Sequence, residues 1–435
     1  MYRYIAAVIL LSALCFANQN GTKERLHEVS HVANASKNEN GTKERFHGED
    51  FLILQALDAQ RRGEGNISGA LYKELYEKTN DEMYIKNSIQ LFLSVNNWNE
   101  AKPLIQRGLE KYPEDNDYDR FYIALIVNEG NISNALKLAE ELVKREKSAQ
   151  NMQLLGAIYF YKQEYDMALK YFEGAYNLAA SEHLLIQIAE LYIKLNQTSK
   201  ALAQLETYAR LNGCTRLVCY KLIEIYGKDK NINGVLNVYK KLYTAFKESN
   251  EAQKIFEILM FQNKQNEAVE FLEESGSNPD LLMEMYIFQK RYDKAVKLAD
   301  ALYQETNESE YLLKTAIYEY EGAQNKSAVL QSVSEKFERF INDESDALYL
   351  NYYGYLLINH DMDIAKGIDF VQRALKFEPD SPYYQDSLAW GLYKQNRCQE
   401  ALEIMKKVLE KLNDKEVMEH FEAMKTCEIK NTETK

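Results

Sequence analysis

NMQLLGAIYFYKQEYDMALKYFEGAYNL, running from Asn151 to Leu178, decides how the rest of the chain is read. Leu155, Gly156 and Tyr159 fall at the spacing L-G-x2-Y, and Tyr165, Ala168, Phe172 and Ala175 follow. Small residues at Gly156, Ala168 and Ala175 let two helices approach closely. Leu155, Tyr159 and Phe172 fill the space between them. The stretch therefore predicts one helix, a turn, and a second helix packed on the first.

This arrangement resembles the tetratricopeptide repeat (TPR), an antiparallel helix pair of about 34 residues. The resemblance implies an all-α fold: a TPR-type α-solenoid, a right-handed superhelix of antiparallel helix pairs, whose work is to hold other proteins. From Phe51 the helix–turn–helix pattern recurs in about eleven degenerate repeats to residue 414. It is sharp in the central unit and in the last, and poor between Gly213 and Ser275. In the second unit, Trp98 takes the place that Tyr165 holds in the central one. The closing units, NYYGYLL followed by ALKFEPDSPYYQDSLAWGLYKQNRCQEAL, are similar to the last repeats of bacterial TPR proteins that carry D-S-x-x-W-x-x-Y. Here those residues are Asp386, Ser387, Trp390 and Tyr393. A lone helix from Lys415 to Cys427 follows. Val417, Phe421 and Met424 form an apolar stripe on it, fit to cap the open end of the stack, and Lys425 to Lys435 are expected as a frayed tail.

Composition agrees with stacked helices. The 435 residues include only 18 Gly and 5 Pro, against 46% hydrophobic residues and 32 Tyr. A solenoid of this length needs no division into globular domains, because each repeat touches only its neighbours. The net charge of -13 argues against nonspecific nucleic-acid binding, which needs a basic face. It suits neutral or basic protein partners.

The N-terminus reads as an export signal over residues 1–17. Arg3 precedes an apolar run from Ile5 to Leu14, too short to anchor in a bilayer. Cleavage after Ala17 is one reading. The other takes Leu11 to Cys15 as a lipobox, with lipid on Cys15 and a membrane association through it. Both put the mature chain outside the cytoplasm, in the periplasm. Residues 18–50 form a polar arm with a short duplication, NGTKERLH and NGTKERFH. His27-Glu28-Val29-Ser30-His31 within it fits the zinc-protease string H-E-x-x-H, but its flanks are polar and no third ligand follows. It is read as a chance match, and no metal or other cofactor is expected.

Cys214, Cys219, Cys398 and Cys427 make an even set for an oxidising compartment. Cys398 should open the second helix of the last repeat and Cys427 should end the helix after it. Adjacent antiparallel helices bring those ends together, so a Cys398–Cys427 bridge is geometrically sensible. Cys214–Cys219 would close a short local loop. The alternative is four inert thiols.

In the TPR family the first helix of each pair lines the concave groove. By spacing, the groove positions here are Asn351, Tyr355 and Ile358, then Tyr383, Asp386, Trp390 and Tyr393. Aromatic anchors beside Asp and Asn would make a peptide-binding patch; the alternative is that Trp390 packs against the capping helix or a neighbouring repeat. The basic clamp of chaperone-binding TPRs is missing, since Asp386 and Trp390 stand at matching positions. Asn-x-Ser/Thr strings at Asn66, Asn131 and Asn307 also have an acid two residues earlier. That extended form resembles the acceptor of bacterial N-glycosylation of the Campylobacter type. A turn Asn followed by a capping Ser explains the same strings without a glycan. No phosphate loop or Ser-His-Asp context is present.

Two functions follow as expectations. One is a non-enzymatic periplasmic scaffold or adaptor that binds protein through its concave face, within a larger complex of the cell envelope. The other is a glycan- or peptidoglycan-recognising envelope protein, or an accessory subunit of an enzyme.

Overall fold

A short turn that reverses the chain sets the architecture. After nearly every first helix, one residue adopts the left-handed conformation: Gly63, Asn96, Gly130, Gln163, Asn196, Lys230, Asn263, Lys290, Asp361 and Asn396, with φ between 53° and 83°. The residue after it then folds its N–H back over the helix end, as when Gln197 N donates to Tyr192 O at 2.7 Å. Helix carbonyls that would be orphaned are satisfied, and the next helix starts in the opposite direction. The turn at residues 323–325 departs from this rule. Many second-helix and first-helix starts are closed by a side chain that accepts a backbone N–H, as Ser148 does from Asn151 N at 3.3 Å and Asn131 from Asn134 N at 3.4 Å.

The computed structural model describes residues 48–342 and 345–433, and all the regular structure among them is helical. The helices are α1 (Glu49–Arg61), α2 (Gly65–Thr79), α3 (Glu82–Ser94), α4 (Trp98–Lys111), α5 (Asn116–Asn128), α6 (Ile132–Arg145), α7 (Ala149–Tyr161) and α8 (Tyr165–Leu178). Then come α9 (Glu182–Lys194), α10 (Thr198–Asn212), α11 (Arg216–Lys228), α12 (Ile232–Phe246), α13 (Ser249–Phe261), α14 (Gln265–Ser275), α15 (Pro279–Phe288) and α16 (Tyr292–Thr306). The chain closes with α17 (Ser309–Gly322), α18 (Lys326–Phe340), α19 (Ala347–Asn359), α20 (Ile364–Phe377), α21 (Pro382–Lys394), α22 (Cys398–Val408) and α23 (Lys415–Glu433). The last helix runs past Cys427, where the sequence pattern placed its end.

Two compact units divide the chain, Met1–Ala252 and Gln253–Lys435. In the first, one hydrophobic cluster runs from Leu52 to Leu242 through successive pairs. The α7/α8 pair shows how each pair closes. Leu155, Ala168, Phe172 and Ala175 are fully buried. A Cβ on Gly156 would lie 2.6 Å from the Phe172 ring, so only glycine lets the two helices meet there. In the second unit the same device is stronger. Gly354 on α19 faces Gly367 on α20, and a Cβ on either would stand 2.7 Å from the other's carbonyl oxygen. Ile358, expected in the groove, is instead fully buried at this crossing. Buried Val417 and Met424, with Phe421 partly buried, set α23 against Leu402, Met405 and Val408 of α22.

Candidate partner-docking face

The candidate site lies on the first helices of the last two pairs, α19 and α21, which pack side by side. On α21, residues one turn apart share a face, so Asp386, Trp390 and Lys394 line up. Trp390 donates its Nε1–H to Asn359 Oδ1 on α19 at 3.2 Å. Its ring stacks on Tyr393 with centroids 4.9 Å apart, and Lys394 Nζ sits 5.4 Å over it. Lys394 also grips both carboxylate oxygens of Asp361, at 2.8 and 2.9 Å.

Two residues of α23 enter this face. His420 and Glu416, four apart, point the same way from that helix. The His420 ring stacks on Trp390 with centroids 4.1 Å apart and planes 17° from parallel. Its Nδ1 lies 3.1 Å from each oxygen of Asp386, and both residues are buried. A carboxylate can only accept, so Nδ1 carries the proton and donates it. Nε2 lies 3.5 Å from the Tyr355 hydroxyl, which in turn donates to Glu416. Burial, with the Glu416 carboxylate next, holds that hydroxyl far above the ordinary phenol range.

Four of the residues read from spacing are thus brought together: Tyr355, Asp386, Trp390 and Tyr393. Asn351 lies a turn earlier on α19, its amide oxygen buried without a hydrogen-bond partner. Tyr383, in the first turn of α21, is 61% exposed. Asp386 is buried and Trp390 only partly exposed, because His420 of α23 packs on both. Sequence reasoning missed Glu416 and His420. Their signal was the i, i+4 spacing beside the Val417, Phe421, Met424 stripe, which places both at its edge.

The first helices of the other unit are laced together by polar contacts. Arg120 Nη1 donates to Asn151 at 2.7 Å, Gln153 to Gln187 at 3.3 Å, and Lys221 Nζ to Glu190 at 3.1 Å, each reaching into the next pair. Between second and first helices, Tyr159 donates to Glu140 at 2.9 Å, and Tyr192 and Tyr226 donate to Glu173 and Glu206. Burial, then the paired carboxylate, pushes the Tyr192 and Tyr226 hydroxyls up to about 12.

Cys398 and Cys427 are bonded, with Cα atoms 6.0 Å apart, and so are Cys214 and Cys219, at 5.7 Å. Asn66, Asn131 and Asn307 are all exposed. Asn131 caps α6, Asn307 ends α16 in the left-handed conformation, and Asn66 Oδ1 accepts from Asn97 at 2.8 Å. Cys15, the leader, the arm up to residue 47 and the His27–His31 string lie outside the described residues. Among the described residues no group of three or more His, Cys, Asp or Glu is placed to hold a metal ion, and no helix is long and apolar enough to cross a membrane.

Stacked helix pairs of this length, closed by a small-residue contact and a left-handed turn, decide the architecture. Each unit is a TPR-type array. No family model matches the chain. A TPR repeat-containing protein of Pseudomonas aeruginosa is 23% identical to it over 172 residues, covering 38% of this chain and 29% of that protein's length. Among solved structures, a thermophilic TPR protein from Thermus thermophilus aligns with 17% identity over 38% of this chain and 91% of its own, at a TM-score of 0.33. YrrB, described as a TPR protein with an unusual peptide-binding site, aligns with 16% identity over 43% and 97%, at 0.29. The Cut9–Hcn1 hetero-tetramer of the APC/C aligns with 10% identity over 91% and 98%, at 0.36. TPR proteins generally mediate contacts between proteins, because stacked pairs present a long surface that one globule lacks.

Proposed function

We propose that this TPR protein is a non-enzymatic scaffold or adaptor of the cell envelope, exported to the periplasm, which docks protein partners on the first-helix face of its repeats. One observation carries the reading. The face made by α19 and α21 already receives a helix, taking the His420 ring between Asp386 and Trp390. A surface that desolvates a stacked ring and a paired carboxylate has the chemistry of an interface centre. The glycan alternative is weaker, since it needs open aromatic faces and Trp390 stacks on protein rings. Export is supported by the apolar leader and by the two cysteine bonds, which suit an oxidising compartment. Envelope assembly, outer-membrane biogenesis or a ring of a motor or secretion machine are fitting settings. A lipid on Cys15 would add a membrane anchor.

Photo-crosslinking in cells tests the docking face. A crosslinker at exposed Tyr383 should capture a discrete partner, while one at Lys407, on the outer side of α22, should not. Equal capture at both, or none at either with the Cys398–Cys427 bond intact and again after its reduction, would remove the face. The mass of the mature N-terminus tests the location, because a start at Asn18 or a lipidated Cys15 is expected and an intact Met1 would refute export.

A further inference from the structure

We propose that α23 is a removable occupant of the α19–α21 face, latched there by the Cys398–Cys427 bond, so that partners gain the face when a dithiol reductant opens it. This rests on the docking reading above and adds its regulation.

A cap has to cover only the open end of the array. Val417, Phe421 and Met424 already do that against α22. Yet Glu416 reaches Tyr355 on α19, one whole pair further back, and His420 enters between Asp386 and Trp390. These extra contacts are polar and aromatic, the kind that recognise a ligand rather than fill a core. A single buried hydrogen bond adds only about 1 kcal/mol of net stability, about fivefold. Another helix offering the same groups can therefore replace it at small cost. What resists exchange most is the covalent tie.

The bond joins residues 29 apart in sequence, from the start of α22 to the fourth turn of α23. Closing a loop of that size disfavours detachment by about four hundredfold on the chain-entropy account. Cys398 is buried at 3% exposure, while Cys427 is half-buried and stands beside exposed Lys425 and Thr426. A thiolate of the donor thus attacks Cys427 Sγ and Cys398 leaves as the thiol. The donor's second thiol then attacks the mixed disulfide and releases Cys427. Two electrons and two protons pass from the dithiol to the cysteines, and the donor ends as a disulfide. With the bond open, α23 is held only by non-covalent contacts, the apolar stripe on α22 and the exchangeable polar and aromatic groups on the face.

Trp390 reports the state of the face directly. The full chain carries two tryptophans, so Trp98→Phe leaves Trp390 as the one fluorophore. Acrylamide quenching is measured in the oxidised protein, after dithiothreitol, and in a C398A/C427A variant that keeps the Cys214–Cys219 bond. Opening the latch by either route should raise the quenching constant severalfold with little loss of far-ultraviolet helicity, and reoxidation should restore protection. A synthetic peptide of residues 415–433 should protect Trp390 again in a C398A/C427A protein that also carries H420A, where the tethered helix lacks the ring and cannot outcompete it, and the same peptide carrying H420A should not. Unchanged quenching after both treatments would overturn the latch and leave the docking reading to the Tyr383 crosslink. Loss of helicity across the unit on reduction would also overturn it, by making α23 a structural cap, as would a peptide that fails to compete. If the latch opens but no partner crosslinks at Tyr383 in the opened protein, the docking reading itself fails.

Discussion

Replacing Gly354 by Ala separates the close crossing of α19 and α20 from helix propensity. In a helix interior, Gly→Ala alone stabilises by about 1 kcal/mol. At Gly354 the new methyl would stand 2.7 Å from Gly367 O, 2.8 Å from Val371 Cγ2 and 3.1 Å from Val371 N. Two of these are backbone atoms of the facing helix, so no rotamer change relieves them. Overpacking of this kind costs about 3 kcal/mol when the obstacle cannot yield, leaving a net loss of about 2 kcal/mol after the propensity gain. For a unit of this size that lowers the melting temperature by about 4–8 °C. The control is Gly227→Ala on α11, where nothing lies within 4 Å of the added methyl. It should raise the melting temperature by about 1–4 °C from propensity alone. Calorimetry measures both, and Trp390 fluorescence follows the second unit. A Gly354→Ala protein as stable as the wild type would refute the helix contact. It would also remove the reason that Tyr355, the next residue, sits where Glu416 can reach it.

Other outcomes are equally specific. A double-mutant cycle on Asp386→Ala and His420→Ala should give a coupling of about 1–3 kcal/mol, as for a buried hydrogen-bonded pair; strictly additive losses would show that the pair is not made. Ser148→Ala should cost about 1 kcal/mol, since its hydroxyl accepts the Asn151 N–H, whereas Glu164→Ala before α8 should cost little, having no such side-chain bond. Equal losses would contradict the capping assignment. Burial, with an adjacent carboxylate except at Tyr72, raises the hydroxyls of Tyr72, Tyr192, Tyr226 and Tyr286 to about 12, against about 10 in the unfolded chain. The folded state therefore holds these protons longer. Its stability is fully present below pH 10 and is lost as pH climbs towards 12. An ultraviolet titration in which every phenol ionises near 10 while the helices persist would contradict the Tyr–Glu pairs.

The helix pairs were legible because the information for each is local. Leu155, Gly156, Tyr159, Ala168 and Phe172 meet within one turn and two helices, so their spacing already states their contact. The turn residues repeat in the same way: Asn96, Gly130, Gln163, Asn196 and Lys230 recur at the pitch of the repeat. The region after Gly213 was harder to read, because α14 and α15 are short and break that pitch. The candidate face was half legible. Tyr355, Asp386, Trp390 and Tyr393 follow from position on a first helix, but nothing in their spacing says that Asp386 is buried or that Trp390 carries a histidine.

By itself, then, the sequence determined an all-helical chain of stacked pairs and which residues of those pairs stand on the first helices. Whether the face they make on the last two pairs is open was decided only in three dimensions. Tyr355 and Glu416 are 61 residues apart, and their contact depends on the angle at which α23 leaves α22. It depends as well on how closely Gly354 and Gly367 draw α19 against α20. A periodic pattern records what each helix buries against its neighbour, but the path of a terminal helix across two pairs is the sum of several crossings that no single segment encodes.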